Sequence, residues 1–143
     1  MHLPMYRKRI CPVSDALRRR SVLLLGPRRT GKTSFIRHEV SADRVYNLLQ
    51  SDAFADLSHR PSLIREALRP NDRLIVIDEI QKLPSLMDEV HSMIEETRVK
   101  FLLTGSSARK LRRTHTSLMA GRAKMLHLLP FVSAELPDFS LDR

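Results

Sequence analysis

The sequence predicts an α/β fold, a three-layer sandwich in which a mostly parallel sheet is covered by helices on both faces. Three observations predict it. Short apolar runs that read as strands alternate with stretches of helical spacing along the whole chain. Most of these runs are near-continuous in apolar residues, as strands buried on both faces are. One strand–loop–helix passage also carries the spacing G-x-x-x-x-G-K-[ST], which needs that setting to have meaning.

In order, residues 14–20 form a short lead-in helix, with Ser14 as N-cap and Ile10, Val13 and Leu17 on a common side. Ser21-Val22-Leu23-Leu24-Leu25 follows directly as a buried strand. After the loop, residues 34–40 continue as a helix with Phe35, Ile36 and Val40 inward. Residues 44–49 make a second strand. Residues 50–69 are helical in two pieces broken at Pro61; Leu63, Ile64, Ala67 and Leu68 make the second amphipathic, and Pro70-Asn71 ends it. Residues 73–79 are a third strand closing in two acids. The next helix starts from Ser85 as N-cap, with Asp88 three residues on and Leu86, Met87, Val90, Met93, Ile94 and Thr97 at helical spacing. Residues 99–104 give a fourth strand, closed by Gly105-Ser106-Ser107. A helix over 108–113 and a last strand over 124–129 complete the core.

The loop is Gly26-Pro27-Arg28-Arg29-Thr30-Gly31-Lys32-Thr33, followed by Ser34. A phosphate chain needs several backbone N–H groups turned inward on a loop that curls closely around it. Gly26 and Gly31 permit that approach, since no Cβ stands in the way. The helix behind the loop aims free N–H groups and the positive end of its dipole at the anion. Lys32 would reach the β- and γ-phosphates and the Thr33 hydroxyl would ligate Mg²⁺. Residues 26–34 are thus the expected nucleotide contacts.

Leu74-Ile75-Val76-Ile77-Asp78-Glu79 has the Walker B pattern of four apolar residues and then Asp-Glu. Asp78, emerging beside the loop, would hold Mg²⁺ directly or through water, and Glu79 would orient or deprotonate an attacking water. At the end of the next strand a hydroxyl could sense the γ-phosphate; Ser106 is preferred over Thr104, and a plain turn with a serine N-cap is the alternative. Arg122 could act as an arginine finger or be an ordinary surface cation, with Arg109, Arg112 and Arg113 as competitors.

Length suits one domain, and no apolar run approaches the roughly 20 residues of a membrane span. The N-terminal residues have no apolar h-region, and Cys11, the sole cysteine, allows no internal disulfide, so a reducing, cytoplasmic setting is expected. The net charge of +9 is carried partly in clusters at Arg7-Lys8-Arg9, Arg18-Arg19-Arg20, Arg28-Arg29 and around Arg109-Lys110. On charge alone it could mark a nucleic acid or another polyanion, but with no Trp, few aromatics and no RNP-like or zinc-finger pattern the plainer readings are a solvated surface, phosphate attraction near the loop or pairing with an acidic segment. Six scattered histidines without HExxH or Cys/His ligand spacing argue against a metal site other than Mg²⁺. No G-x-S-x-G or G-x-G-x-x-G is present, which disfavours a serine hydrolase or a dinucleotide fold.

With these residues assembled, the chain resembles the AAA-type ATPase core of a widespread prokaryotic family usually labelled "ATP-binding protein" or "AAA domain protein". The resemblance rests on GPRRTGKTS at 26–34, LIVIDEIQKLP at 74–84, FLLTGSSARKL at 101–111 and SLMAGRAKMLHLLPFVSAEL at 117–136. It implies the AAA+ arrangement of a parallel five-stranded sheet with the phosphate-loop strand central. It also implies ATP as ligand, Mg²⁺ as cofactor, Lys32, Thr33, Asp78 and Glu79 as the core site, and Ser106 as sensor. Similar proteins continue into a helical lid and a C-terminal domain, whereas this sequence stops at Arg143. The expectation is therefore a single nucleotide-binding core over 1–143, with a homo-oligomer or partner chain supplying the lid. ATP hydrolysis is expected, with a non-hydrolysing switch or truncated module, associated with nucleic acid, as the alternative.

Overall fold

The computed structural model describes residues 13–26, 32–106 and 123–127, the side chains of Lys32, Thr33 and His127 excepted. Its elements are α1 (Val13–Leu17), β1 (Ser21–Leu25), α2 (Lys32–Glu39), β2 (Arg44–Asn47), α3 (Ser51–His59), α4 (Leu63–Glu66), β3 (Leu74–Asp78), a 3-10 turn (Ile80–Lys82), α5 (Leu86–Glu96), β4 (Lys100–Gly105) and β5 (Ala123–His127). The helix expected over 108–113 and residues 128–129 of the last strand lie outside the described residues.

The five strands form one all-parallel sheet in the order β2-β3-β4-β1-β5. The α/β class and five-stranded parallel sheet are as expected, with one correction. The middle strand is β4; the phosphate-loop strand β1 is interior but lies one place over, between β4 and β5. Among the described residues only β5 lies beyond it on that side, while β2 and β3 continue the sheet beyond β4.

Side chains alternate across the sheet, so each interior strand feeds two cores. Leu23 and Leu25 of β1, Ile75 and Ile77 of β3, and Phe101 and Leu103 of β4 pack with Leu57, Ile64, Leu86, Met87, Val90 and Met93 from α3, α4 and α5. Val22, Leu24, Val76 and Leu102 point the other way, onto Val13 and Ala16 of α1 and Phe35 and Ile36 of α2. Near-continuous apolar strands are thus explained by two covered faces. Among the described residues the second face is the thinner core, and α2, which starts inside the loop motif, is part of it.

Three local expectations need correction. Ser14 lies inside α1 and its hydroxyl donates to the Glu39 carbonyl at 3.4 Å, tying α1 to the end of α2 instead of capping. β2 stops at Asn47, two residues early, because the Asn47 side chain accepts from the Leu49 N–H at 3.0 Å and turns the chain. Ser85 precedes α5 but is already helical and makes no side-chain cap. Tight turns lead in instead, with Leu86 N–H donating to Leu83 and Met87 N–H to Pro84.

Polar contacts tie the elements together. Arg65 of α4 reaches α5 through Glu89 at 2.8 Å, Glu96 at 2.6 Å and the Ser92 hydroxyl at 2.9 Å. Its guanidinium, with Ser92, holds the Glu96 carboxyl below its usual range. Asp43 accepts from the backbone N–H groups of Arg73 at 2.7 Å and Leu74 at 2.9 Å, pinning the start of β3 beside β2. Those two bonds lower the Asp43 pKa.

Candidate functional site

Parallel strands bring whatever the sequence writes at their carboxyl ends to one edge of the sheet. Here that edge carries Asp78 of β3, Thr104 and Gly105 of β4, and Gly26 just after β1. Leu25 stands in register with Gly105, and the Gly26 N–H donates to the Gly105 carbonyl at 3.1 Å. The ladder therefore runs into the first residue of the loop motif. In sequence, β1 is followed by β2 on one side of it and β4 is followed by β5 on the other. Such a switch point opens the crevice where open α/β sheets take ligands.

α2 begins at Lys32, so the amino end of that helix starts within the motif, and Ser34 is exposed in its first turn. Pro27, Arg28, Arg29, Thr30 and Gly31, the side chains of Lys32 and Thr33, and Arg122 lie outside the described residues, as do Arg109, Arg112 and Arg113.

At the neighbouring strand ends two acids are buried: Asp78 is 3% exposed and Glu79 9%. Charge removed from water needs partners, and for Asp78 the Thr104 side chain supplies one from within β4. Its hydroxyl, 0% exposed, donates to Asp78 Oδ1 and accepts from the Glu79 N–H at 3.0 Å. One side chain thus fixes both a carboxylate and the backbone of the next residue. The Asp78 carbonyl also accepts from Leu48 N–H at 3.1 Å, which joins the turn after β2 to the same edge.

Glu79 sits at φ 63, ψ 52, the one non-glycine residue with positive φ among those described. That left-handed backbone costs about 1–2 kcal/mol and is held by the bonds around it. It turns the chain from β3 into the 3-10 turn, where Lys82 N–H donates back to Glu79 O at 3.0 Å. Gln81, in that turn, donates through Nε2 to Glu79 Oε2 and to the Ser106 hydroxyl at 3.0 Å. Its other amide atom, Oε1, is buried with no hydrogen-bond partner among the described residues.

The structure therefore brings Gly26, Asp78, Glu79 and Ser106 to one edge. Thr104, the second choice at the sequence level, is the hydroxyl that binds the Asp78 carboxylate and the Glu79 backbone N–H, and Ser106 meets Glu79 only through Gln81. Gln81 was not singled out from the sequence. Its signal was a polar residue two past Glu79 in a short turn before Pro84.

A cleft of about 430 Å³ opens beside the edge, lined by Arg37, Val45, Asn47, Gln50 and Asp78. Among the described residues no three metal-ligating side chains gather. A hard cation that keeps waters and phosphate oxygens needs only one or two protein carboxylates, and Asp78 on this cleft fits that demand.

The all-parallel 2-3-4-1-5 order, with a glycine–lysine loop motif between β1 and α2, defines a P-loop nucleotide-binding fold. More specifically, the chain belongs to the AAA domain family, whose model matches residues 18–136. Membership implies ATP binding through the phosphate loop. No curated protein matches the chain. Among solved structures it is similar to the Aeropyrum pernix ORC1 protein in complex with DNA, at 17% identity and a TM-score of 0.53, covering 90% of this chain and 48% of that one. It also matches Drosophila ORC bound to GC-rich DNA and Cdc6 (12% identity, TM-score 0.49, 83% of this chain and 54% of that one). A third match is domain III of the Thermotoga maritima replication initiation protein DnaA (14% identity, TM-score 0.48, 87% and 60%). The chain spans about half to three-fifths of the length of these chains, and the Aeropyrum likeness supports the shared fold. Among the described residues no helix is long and apolar enough to cross a membrane.

Proposed function

We propose that this chain is a single AAA-type core that binds ATP with Mg²⁺ and hydrolyses it. The observation that supports this best is the Thr104-centred bonding of Asp78 and Glu79 on the edge that the loop motif also joins. The backbone of residues 26–34 and the Lys32 ammonium hold the phosphates. Thr33 and Asp78 hold Mg²⁺, which when bound neutralises phosphate charge. Thr104 fixes Asp78 while holding the Glu79 backbone in its turn. The Glu79 carboxylate takes a proton from water as the water oxygen attacks the γ-phosphorus; the bond to the β–γ bridging oxygen breaks, releasing ADP and phosphate. Gln81 orients that carboxylate and links it to Ser106 near the γ-phosphate. Arg122, in cis or from a neighbouring copy, stabilises the developing charge.

A second reading, ATP binding as a switch without turnover, is favoured by the Gln81 bond, which engages a Glu79 carboxylate oxygen. Steady-state phosphate release separates the two. In the ATPase, Glu79→Gln lowers turnover by roughly 10²–10⁴-fold while ATP still binds. Turnover equal in parent and Glu79→Gln leaves the switch.

A further inference from the structure

We infer that the opposite edge of the same sheet is a sequence-independent binding surface for the phosphodiester backbone of a nucleic acid duplex. The amino ends of β3, β4, β1 and β5 lie side by side, and each is preceded or begun by cations. Arg73 stands before β3, Arg98 and Lys100 at β4, Arg18, Arg19 and Arg20 before β1, and Lys124 at β5. All are exposed except the half-buried Lys100. They border three adjoining hollows, of about 610 Å³ (Arg18, Arg73, Arg98, Lys100), 320 Å³ (Arg19, Arg20, Lys124) and 300 Å³ (Arg19, Arg20, Lys100).

Acids are present here but mostly engaged elsewhere. Asp72 pairs with Arg44 at 3.1 Å, Glu95 faces His91 at 3.7 Å, and Asp43 is taken by backbone N–H groups. Asp15 is exposed beside Arg19 and Arg20. None of the seven cations closes an ion pair with a carboxylate among the described residues.

Geometry and composition select the partner. Four adjacent strands set these cations along roughly 14 Å at the ordinary strand spacing, a span that faces about four successive phosphates of a duplex. Five of the seven are arginines, whose fork takes phosphate oxygens bidentately. A protein partner would need an apolar anchor, and none of the exposed large hydrophobics among the described residues, Val45, Leu49, Phe54 and Met125, lines the three hollows. No described aromatic borders the three hollows, so nothing here stacks the bases of a single strand. The phosphate loop is at the other edge, so duplex and nucleotide occupy opposite ends of the sheet.

The test is fluorescence anisotropy with labelled mixed-sequence duplex DNA, duplex RNA and single-stranded DNA. With about four phosphates neutralised, duplex affinity falls roughly 100-fold between 50 and 200 mM salt. Arg18→Gln/Arg19→Gln/Arg20→Gln, and separately Arg73→Gln/Arg98→Gln, each weaken it at least tenfold and leave ATP binding intact. Lys32→Ala binds duplex as the parent does, so failure of the nucleotide site and failure of this surface are distinguishable. Binding of duplex DNA or of duplex RNA supports the proposal and tells which backbone is used. The proposal is overturned by preference for the single strand, or by displacement of duplex by polyglutamate at equal charge. It is also overturned if both variants bind normally while Arg109→Gln/Lys110→Gln/Arg112→Gln/Arg113→Gln does not, or if the parent does not bind at all.

Discussion

The two edges of this sheet handle charge in opposite ways. At the carboxyl edge Asp78 and Glu79 are almost buried, and each is held by a named partner, Thr104 or Gln81. At the amino edge Arg18, Arg19, Arg20, Arg73 and Arg98 stand in solvent, joined to no carboxylate among the described residues, and only Arg44, at the start of β2, pairs with an acid there, Asp72. Buried charge is costly unless its geometry is defined, so the first edge suits chemistry on one ligand. Exposed cations are cheap to place and interchangeable, which suits a repeated polyanion and suits chemistry poorly. The difference lies in desolvation more than in residue type.

Substitutions at the two edges should therefore differ in kind. The largest effect is expected from Glu79→Gln, with phosphate release down by roughly 10²–10⁴-fold and a melting temperature near the parent's. Next is Thr104→Val, which leaves the Glu79 N–H and Asp78 Oδ1 without their shared hydroxyl; urea unfolding should show a loss of about 2–3 kcal/mol, together with loss of turnover. Its counterpart at the amino edge is Ser21, 2% exposed, whose Oγ accepts from the Phe101 N–H at 2.9 Å. Ser21→Ala should cost about 1 kcal/mol by the same measurement, with ATP affinity unchanged. If Ser21→Ala impairs ATP binding as Thr104→Val does, the contrast between the edges fails.

The smallest effect concerns Asp43. Its carboxyl is held below the ordinary value of 3.8 by the Arg73 and Leu74 N–H groups, so its contribution is present above that pH and is lost as pH falls through the lower, folded value. The carboxylate is exposed, so Asp43→Ala should cost only about 0.5 kcal/mol near neutrality. The gap between parent and variant, followed by urea unfolding against pH, should close in acid below 3.8. A gap that widens in acid would reverse the assignment.

How far the sequence could be read follows the range of the forces involved. Strands β1, β3 and β4 were legible because burial on two faces leaves unbroken apolar runs such as Leu74-Ile75-Val76-Ile77. The edge strand β2, with Val45 56% exposed, was legible as a strand but not in its end, which an asparagine side chain decides. The place of β1 in the sheet depends on where crossovers land, and no local pattern records that. In the site, motif spacing singles out Asp78 and Glu79 because they close a strand, and the structure puts both on the edge that Gly26 joins; residues 27–31 of the loop lie outside the described residues. The Thr104 and Gln81 bonds were out of reach, because Thr104 joins Asp78 across 26 positions of sequence and Gln81 joins Ser106 across 25. Ser106 looked the better hydroxyl in the sequence because it stands in the turn, while Thr104 reads as one more strand residue.

The most direct test of the central claim, a phosphate site where β1 meets α2 beside Asp78, is equilibrium binding of a fluorescent ATP analogue with Mg²⁺ to this chain and to Lys32→Ala. Losing a charged hydrogen-bonding partner of the phosphates should weaken binding by about 10–100-fold, with the circular dichroism spectrum unchanged. Equal affinity in parent and Lys32→Ala would contradict the account, since the nucleotide would then sit away from the loop around which this edge is built.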